Sequence, residues 1–331
     1  MVGIKIKLQF MKDNKNYVKL RISDNSIKSI FHLADLHIPN DNGEFDSRIP
    51  EYRRVFNTCL EDFTRDAKGF LPPDIIIFIG GDIFDAAKKD NGCVSANAQD
   101  LFKNFIKRLQ KIGTVIIIPG NHDNNITYKS TNTKTKDVIS SILSDINGEN
   151  ETLFYLKNTG SYLIDNCHFY TASVFDLDKI KGPRYHKTRL KILPQKHITS
   201  KVDHHILLLH CGIQGQIIHN GHMLHGYEFT VSDIEHFDIV LLGDTHKHQF
   251  LGSKKNIAYP SSLIQQNYGE DIKNHGYISW DLTNTSNKYK GTFHDIHNDD
   301  GLIENIPDDF KPLQSQKIEG VTEYSVHPKV E

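Results

Sequence analysis

At 331 residues and 38% hydrophobic content, the chain can hold one large or two ordinary domains around a sizeable core. A formal charge of -2 and a pI near 6.8 exclude a general electrostatic pull towards nucleic acid, so any such contact must rest on local basic patches or on metals. Cys59, Cys93, Cys167 and Cys211 have no paired spacing, no secretory leader is visible, and no apolar run approaches bilayer length, so the expectation is a reduced, soluble, intracellular protein (cytoplasm or nucleoid) with no membrane association.

Residues 1–28 alternate apolar with polar side chains (Ile4, Ile6, Leu8, Phe10, then Val18, Leu20, Ile22) around a polar turn at 12–16, which predicts an N-terminal β-hairpin extension. An apolar run at 30–34 ends in Asp35-Leu36-His37. Tyr52, Val55, Phe56, Cys59, Leu60, Phe63 and Ala67 then recur at helical spacing before a stop at Gly69. Residues 75–79 are β-branched or aromatic and too few for a helix, so they read as a strand buried on both faces. That strand runs into Gly80-Gly81-Asp82-Ile83-Phe84-Asp85, where the glycines let the backbone turn sharply. A second helix is predicted from Leu101, Phe102, Phe105, Ile106, Leu109 and Ile112, and a third from Val138, Ile139, Ile142, Leu143 and Ile146. Between them the run 115–118 ends in Pro119-Gly120-Asn121-His122-Asp123. This βαβ-like order predicts an at least partly parallel sheet whose loops gather on one rim.

From 153 to 210 the pattern turns strand-like, at 153–156, 162–164, 168–172 and 206–209, and a second sheet packed on the first is the economical arrangement. His204 and His205 precede the last of these strands, which ends in His210-Cys211-Gly212. Residues 176–201 hold ten Lys, Arg or His side chains and no acid after Asp178. They read either as a solvated loop or as a phosphate-backbone contact. His219, His222 and His225 read more simply as part of a glycine-rich exposed loop than as a third metal site. The run 239–242 ends in Gly243-Asp244-Thr245-His246-Lys247-His248, and a strand at 291–296 precedes the polar segment 299–331.

Five apolar strands thus hand over to Asp, Asn or His at the same end, which no folding requirement demands. Asp35, His37, Asp82, Asn121, His210, Asp244 and His246 together offer three carboxylates, three imidazoles and an amide oxygen, without a thiolate. That donor set is unsuited to a structural zinc site and suits a pair of divalent ions such as Mn²⁺ or Mg²⁺. Two such ions roughly 3.5 to 4 Å apart can share one carboxylate and clamp a phosphoester for in-line displacement. Asp82, on the central strand, is the natural shared ligand. His122 cannot easily ligate beside Asn121 and is better placed as the acid assisting the leaving oxygen, with Asp123 orienting its ring. Asp85 reads as a turn residue or a supporting group rather than a ligand.

These motifs resemble, in order, the signature of calcineurin-like metallophosphoesterases. Within that superfamily the chain is most similar to the SbcD-type nuclease subunit of the DNA double-strand-break repair complex. The supporting detail is Ala258-Tyr259-Pro260-Ser261-Ser262-Leu263-Ile264-Gln265-Gln266-Asn267-Tyr268-Gly269-Glu270 followed by His275-Gly276-Tyr277-Ile278-Ser279-Trp280-Asp281-Leu282. The resemblance implies an α/β fold of two packed mixed β-sheets flanked by helices, in four αββα layers. The nuclease domain would occupy 29–285, with 286–331 a short C-terminal segment, a vestigial or truncated capping domain. It implies two divalent ions, Mn²⁺ foremost, and exonuclease and endonuclease action on DNA in end processing, repair or recombination. It also implies a homodimer and an SMC-like ATPase partner. Carried over by motif, one ion takes Asp35, His37, Asp82 and His246, and the other takes Asp82, Asn121, His210 and the first ligand of the last motif. There the family's Gly-His-x-His is Gly243-Asp244-Thr245-His246, so either Asp244 replaces a histidine or the pair slides to His246 and His248. A phosphoesterase acting on a nucleotide or phosphoprotein, and a non-catalytic scaffold, are the competing functions.

Overall fold

The computed structural model describes residues 17–21, 23–40, 47–85, 93–123, 137–146, 152–177, 204–218, 221–223, 229–283 and 289–300. Strand β1 (Val18–Arg21) covers residues expected in the second arm of the hairpin and pairs in parallel with residues 162–164; the expected first arm lies outside the described residues. Strands β2 (Ser29–Leu33), β3 (Ile75–Ile79), β4 (Thr114–Ile117) and β5 (Leu153–Tyr155) pair in parallel, each with its neighbour in the list. A second set comprises β6 (Gly160–Ile164), β7 (Cys167–Thr171), β8 (His204–His210), β9 (Ile239–Gly243), β10 (Gln249–Leu251) and β11 (Ile257–Tyr259). Finally β12 (Gly276–Asp281) returns to the first set antiparallel to β2, and β13 (Lys290–Asp295) pairs antiparallel with β12. The result is two mixed sheets, β13-β12-β2-β3-β4-β5 and β1-β6-β7-β8-β9-β11-β10.

The continuous apolar runs make sense because each central strand is covered on both faces. Phe31, Leu33, Ile75, Ile77, Ile79, Val115 and Ile117 point outward from the six-stranded sheet into a core shared with α1 (Ile49–Asp66), α2 (Ala96–Leu109) and α3 (Val138–Ser144). The alternate residues Ile30, Ile76, Phe78 and Ile116 meet Ile206, Leu208, Ile239 and Leu241 of the other sheet, and Trp280 is buried in this middle layer beside Phe250. A third layer, with Leu207, Leu209, Val240 and Leu242, is closed by Phe229, Ile234 and Phe237. Among the described residues, the short helix α4 (Val174–Leu177) follows β7, and the other, α5 (Val231–Ile234), supplies Ile234 to this layer.

Two expectations change in detail. His204 and His205 are part of β8, and both are buried: His205 Nδ1 faces the Tyr170 hydroxyl at 2.8 Å, and His204 Nδ1 faces that of Tyr289 at 3.0 Å. The basic stretch lies almost wholly outside the described residues, as do His219, His225 and residues 301–331. The four cysteines are free, and no helix among the described residues is long and apolar enough to cross a membrane.

Trp280→Ala opens a cavity between the sheets and is expected to lower unfolding stability by about 3–5 kcal/mol. Leu71→Ala, at a site 67% exposed, should stay within about 0.5 kcal/mol. Urea unfolding of the two variants checks both values, and equal effects would show that the inter-sheet layer is not a packed core.

Candidate metal centre

The parallel strands end together, and their exits are tied to one another. After β2, the Asp35 N–H donates to the Gly81 carbonyl at 3.1 Å and the His37 N–H to the Asp82 carbonyl at 2.9 Å. The Asp244 N–H, after β9, donates to both carboxylate oxygens of Asp35 at 3.1 Å. From α1, the Tyr52 hydroxyl holds the His37 carbonyl at 2.8 Å.

Asp35, His37, Asp82 and Asp244 adopt the left-handed backbone, at φ 53°, 44°, 51° and 92°. Non-glycine residues there cost on the order of 1–3 kcal/mol each, a strain typical of functional sites held by the surrounding fold. Glycine is required where the loops close on each other: a Cβ on Gly120 would strike the Asp82 carboxylate, and one on Gly243 the Gly80 carbonyl.

All seven expected ligands converge. Asp82 Oδ2 lies 3.3 Å from His210 Nε2 and 3.6 Å from His37 Nε2, so a single oxygen faces both halves of the site. On one side, His37 Nε2 and His246 Nε2 aim at each other 3.0 Å apart, and Asp35 Oδ1 is 3.9 Å from the latter. On the other side, His210 Nε2 is 3.1 Å from Asn121 Oδ1 and 3.7 Å from Asp244 Oδ1. Donor atoms of Asp35, His37 and His246, and likewise of Asp35, Asp82 and His210, lie within 4.8 Å of one another. His248 is turned elsewhere: it stacks on Phe293 at 3.9 Å and its Nδ1 donates to the Tyr259 carbonyl at 3.1 Å. The structure therefore brings Asp244, and not His248, to the other donors.

The imidazoles are aimed from behind. His210 Nδ1 donates to the Gly80 carbonyl at 2.6 Å and His246 Nδ1 to Glu270 Oε1 at 2.8 Å, which leaves each Nε2 for a cation. Glu270 also accepts from the Gln266 N–H at 2.8 Å and from Asn267 Nδ2 at 2.7 Å. Reading the sequence gave Glu270 no role; it stands 24 residues from its histidine, and the family-like stretch that contains it was the one available signal.

Asp123 requires a correction. It does not orient His122: its carboxylate is buried and accepts the backbone N–H groups of Ile83 at 2.9 Å and Gly120 at 2.8 Å, stapling the β3 and β4 exits together. The group facing His122 Nδ1 is Asp85, at 3.9 Å, while His122 Nε2 is 3.9 Å from Asp82 Oδ2. Adjacent side chains diverge, so the neighbour in sequence was the wrong partner.

The electrostatics match a cation site. Burial pushes Asp35 up to about 7, and it lowers His37 to about 3. Burial acts to raise Asp82, yet His210, His37 and His122 outweigh it and hold the carboxyl below the usual carboxylate range. Burial acts to lower His210 and His246, but Asp82 raises the first well above an ordinary imidazole, and Glu270 with Asp35 raises the second to about 9. Without a metal, protons on imidazoles thus compensate a buried carboxylate cluster, the task that divalent cations would otherwise perform. Hard oxygen donors with imidazoles, in a cradle that no Cβ could enter, fit two such ions.

Residues 28–248 match the family model described as calcineurin-like phosphoesterase. A protein of Acanthamoeba polyphaga mimivirus described as "Uncharacterized protein R555" is 32% identical to this chain over 273 residues. Those residues are 82% of this chain but 19% of that protein, so the chain spans about a fifth of this relative's length.

Two outcomes are expected from metal titration. Asp244→Ala should lose one of two ions while His248→Ala keeps both, as read by metal content after gel filtration; the reverse would restore the slid register. Because His246 titrates near 9 and His210 is also raised, both carry protons at neutral pH that a metal must displace. Metal affinity should therefore climb with pH between about 6 and 9. Calorimetry in buffers of different ionisation enthalpy should register proton release, and a buffer-independent heat would contradict it.

Proposed function

The chain belongs to the calcineurin-like phosphoesterase family, and on that premise we propose that it is a metal-dependent DNA nuclease that hydrolyses phosphodiester bonds with Mn²⁺ or Mg²⁺. The observation that carries the nuclease reading is the role of the stretch 258–270. It is the segment most similar to SbcD-type nucleases, and it is built into the metal centre: Glu270 orients His246, and the Tyr259 hydroxyl donates to the Cys211 carbonyl at 2.8 Å, beside His210. The resemblance thus reaches the groups that shape the reacting site.

Two bound ions would supply a hydroxide nucleophile and neutralise charge on the phosphoryl oxygens. Asp35, His37, Asp82 and His246 would hold one ion, and Asp82, Asn121, His210 and Asp244 the other. His122 is reachable from solvent, with a side chain 24% exposed where Asp82 is 4% exposed. Asp85 faces Nδ1 at 3.9 Å, and Nε2 is the atom that hands a proton to the departing 3′ oxygen. Asp244 in place of a neutral imidazole adds negative charge and shifts preference towards harder ions. The SMC-like ATPase partner and the homodimer belong to the same reading, and copurification tests them.

With Mn²⁺, the purified protein should degrade labelled linear duplex and single-stranded DNA. Asp82→Asn should abolish the activity with loss of metal, and His122→Ala should lower kcat about 10²–10⁴-fold with both ions retained. Turnover of bis-p-nitrophenyl phosphate without DNA cleavage would move the substrate to a nucleotide or phosphoprotein. Bound metal with no turnover would indicate a scaffold.

A further inference from the structure

Large apolar side chains scattered singly over a surface need no explanation, but their clustering does. Among the described residues, five large hydrophobic side chains are exposed: Leu71, Ile217, Met223, Tyr268 and Ile272. Leu71 lies just ahead of β3, at the rim opposite the metal centre. The other four lie on two loops that bracket the last metal motif.

One loop is joined to that motif by Gln249, whose side chain accepts the Ile217 N–H at 2.9 Å and donates to the Ile217 carbonyl at 2.8 Å. Gln216 adds a bond from Nε2 to the Thr245 hydroxyl at 2.8 Å, and Met223 bridges Ile217. The other loop is joined by Glu270 to His246 and by Asp271 to Lys247 at 3.2 Å. Ile217 is therefore tied to Gln249, and Tyr268 and Ile272 flank the residues tied to His246 and Lys247.

Tyr268 is the largest of them and is 61% exposed. Its turn is rigid: Asn267 Nδ2 donates to Glu270 Oε1 at 2.7 Å, and the Gly269 N–H donates to Asn267 Oδ1 at 2.9 Å. Only Gly269 separates it from Glu270, so the two Cα atoms are at most about 7 Å apart. An ordered turn thus presents an aromatic ring to solvent within one side chain's reach of the group that aims a metal ligand. Folding gains little from that exposure. Lys247 lies between the two loops, and its exposed ion pair with Asp271 is weak enough to yield to a phosphate.

We propose that Tyr268 is a stacking platform for an unpaired nucleobase beside the scissile phosphate, with Ile217, Met223 and Ile272 as the apolar walls of the strand's path. The inference rests on the nuclease reading for its substrate class, and narrows it to a strand whose bases are free to stack, a single-stranded or frayed end. Base–aromatic stacking tolerates any sequence, and its removal weakens binding about 5- to 100-fold per base.

The test is fluorescence anisotropy with Ca²⁺ in place of Mn²⁺, using a labelled oligothymidylate and an abasic oligonucleotide of equal length. The wild-type protein should prefer the oligothymidylate about 5- to 100-fold. Tyr268→Ala should erase that preference, Tyr268→Trp should keep it, and Leu71→Ala should behave as wild type. Wild-type metal content in each variant confirms that the centre has folded. Equal binding of both probes by the wild type, binding of neither, or a preference that survives in Tyr268→Ala would each overturn the proposal. Cleavage with Mn²⁺ is scored separately: a Tyr268-dependent base preference without DNA cleavage would sink the nuclease reading alone, and cleavage without base preference would sink this inference alone.

Discussion

A carboxylate in the interior of a protein must be compensated, and the Asp82 side chain shows how completely this fold is arranged around that need. Three imidazoles surround it: His210, His37 and His122 at 3.3, 3.6 and 3.9 Å. An isolated buried carboxylate would cost several kcal/mol even after relaxation and would otherwise take up a proton. Here the compensation comes from groups that are themselves metal ligands by type. The same oxygen that unites the cluster is the one a pair of cations would share.

The scaffold supplies this convergence by simple means. Parallel strands buried on both faces have no side-chain freedom to spend on chemistry, so functional groups appear where the ladders stop. The left-handed turns at Asp35, His37, Asp82 and Asp244 are affordable because backbone bonds between exits and the buried carboxylate of Asp123 over-determine them. Behind the ligands, the Gly80 carbonyl and Glu270 set ring orientation. Ahead of them, the loops that carry Ile217, Met223, Tyr268 and Ile272 expose apolar side chains to solvent.

Much of this was legible from residue order. The strand at 75–79 was read from five consecutive apolar residues and is found with those bounds, because a run without alternation is the mark of a strand covered twice. The helices followed from spacing, with ends displaced by a few residues, as at α1, which starts at Ile49 with Pro50 in its first turn, ahead of Tyr52. The convergence of the candidate ligands was legible because they sit at strand exits, which composition marks. What escaped was whatever depends on tertiary contact. Asp123 turned away from its neighbour to bind backbone, Glu270 reached back across 24 residues, and the start of β8 was hidden because buried histidines interrupt its apolar run.

The central claim is that these side chains hold two cations close enough to share the Asp82 carboxylate. Electron paramagnetic resonance of the Mn²⁺-loaded protein tests it most directly. A spin-coupled multiline signal, converted by Asp82→Asn into the spectrum of isolated ions or lost altogether, is the predicted result. The hyperfine pattern of isolated ions in the wild-type protein at full loading would contradict the account.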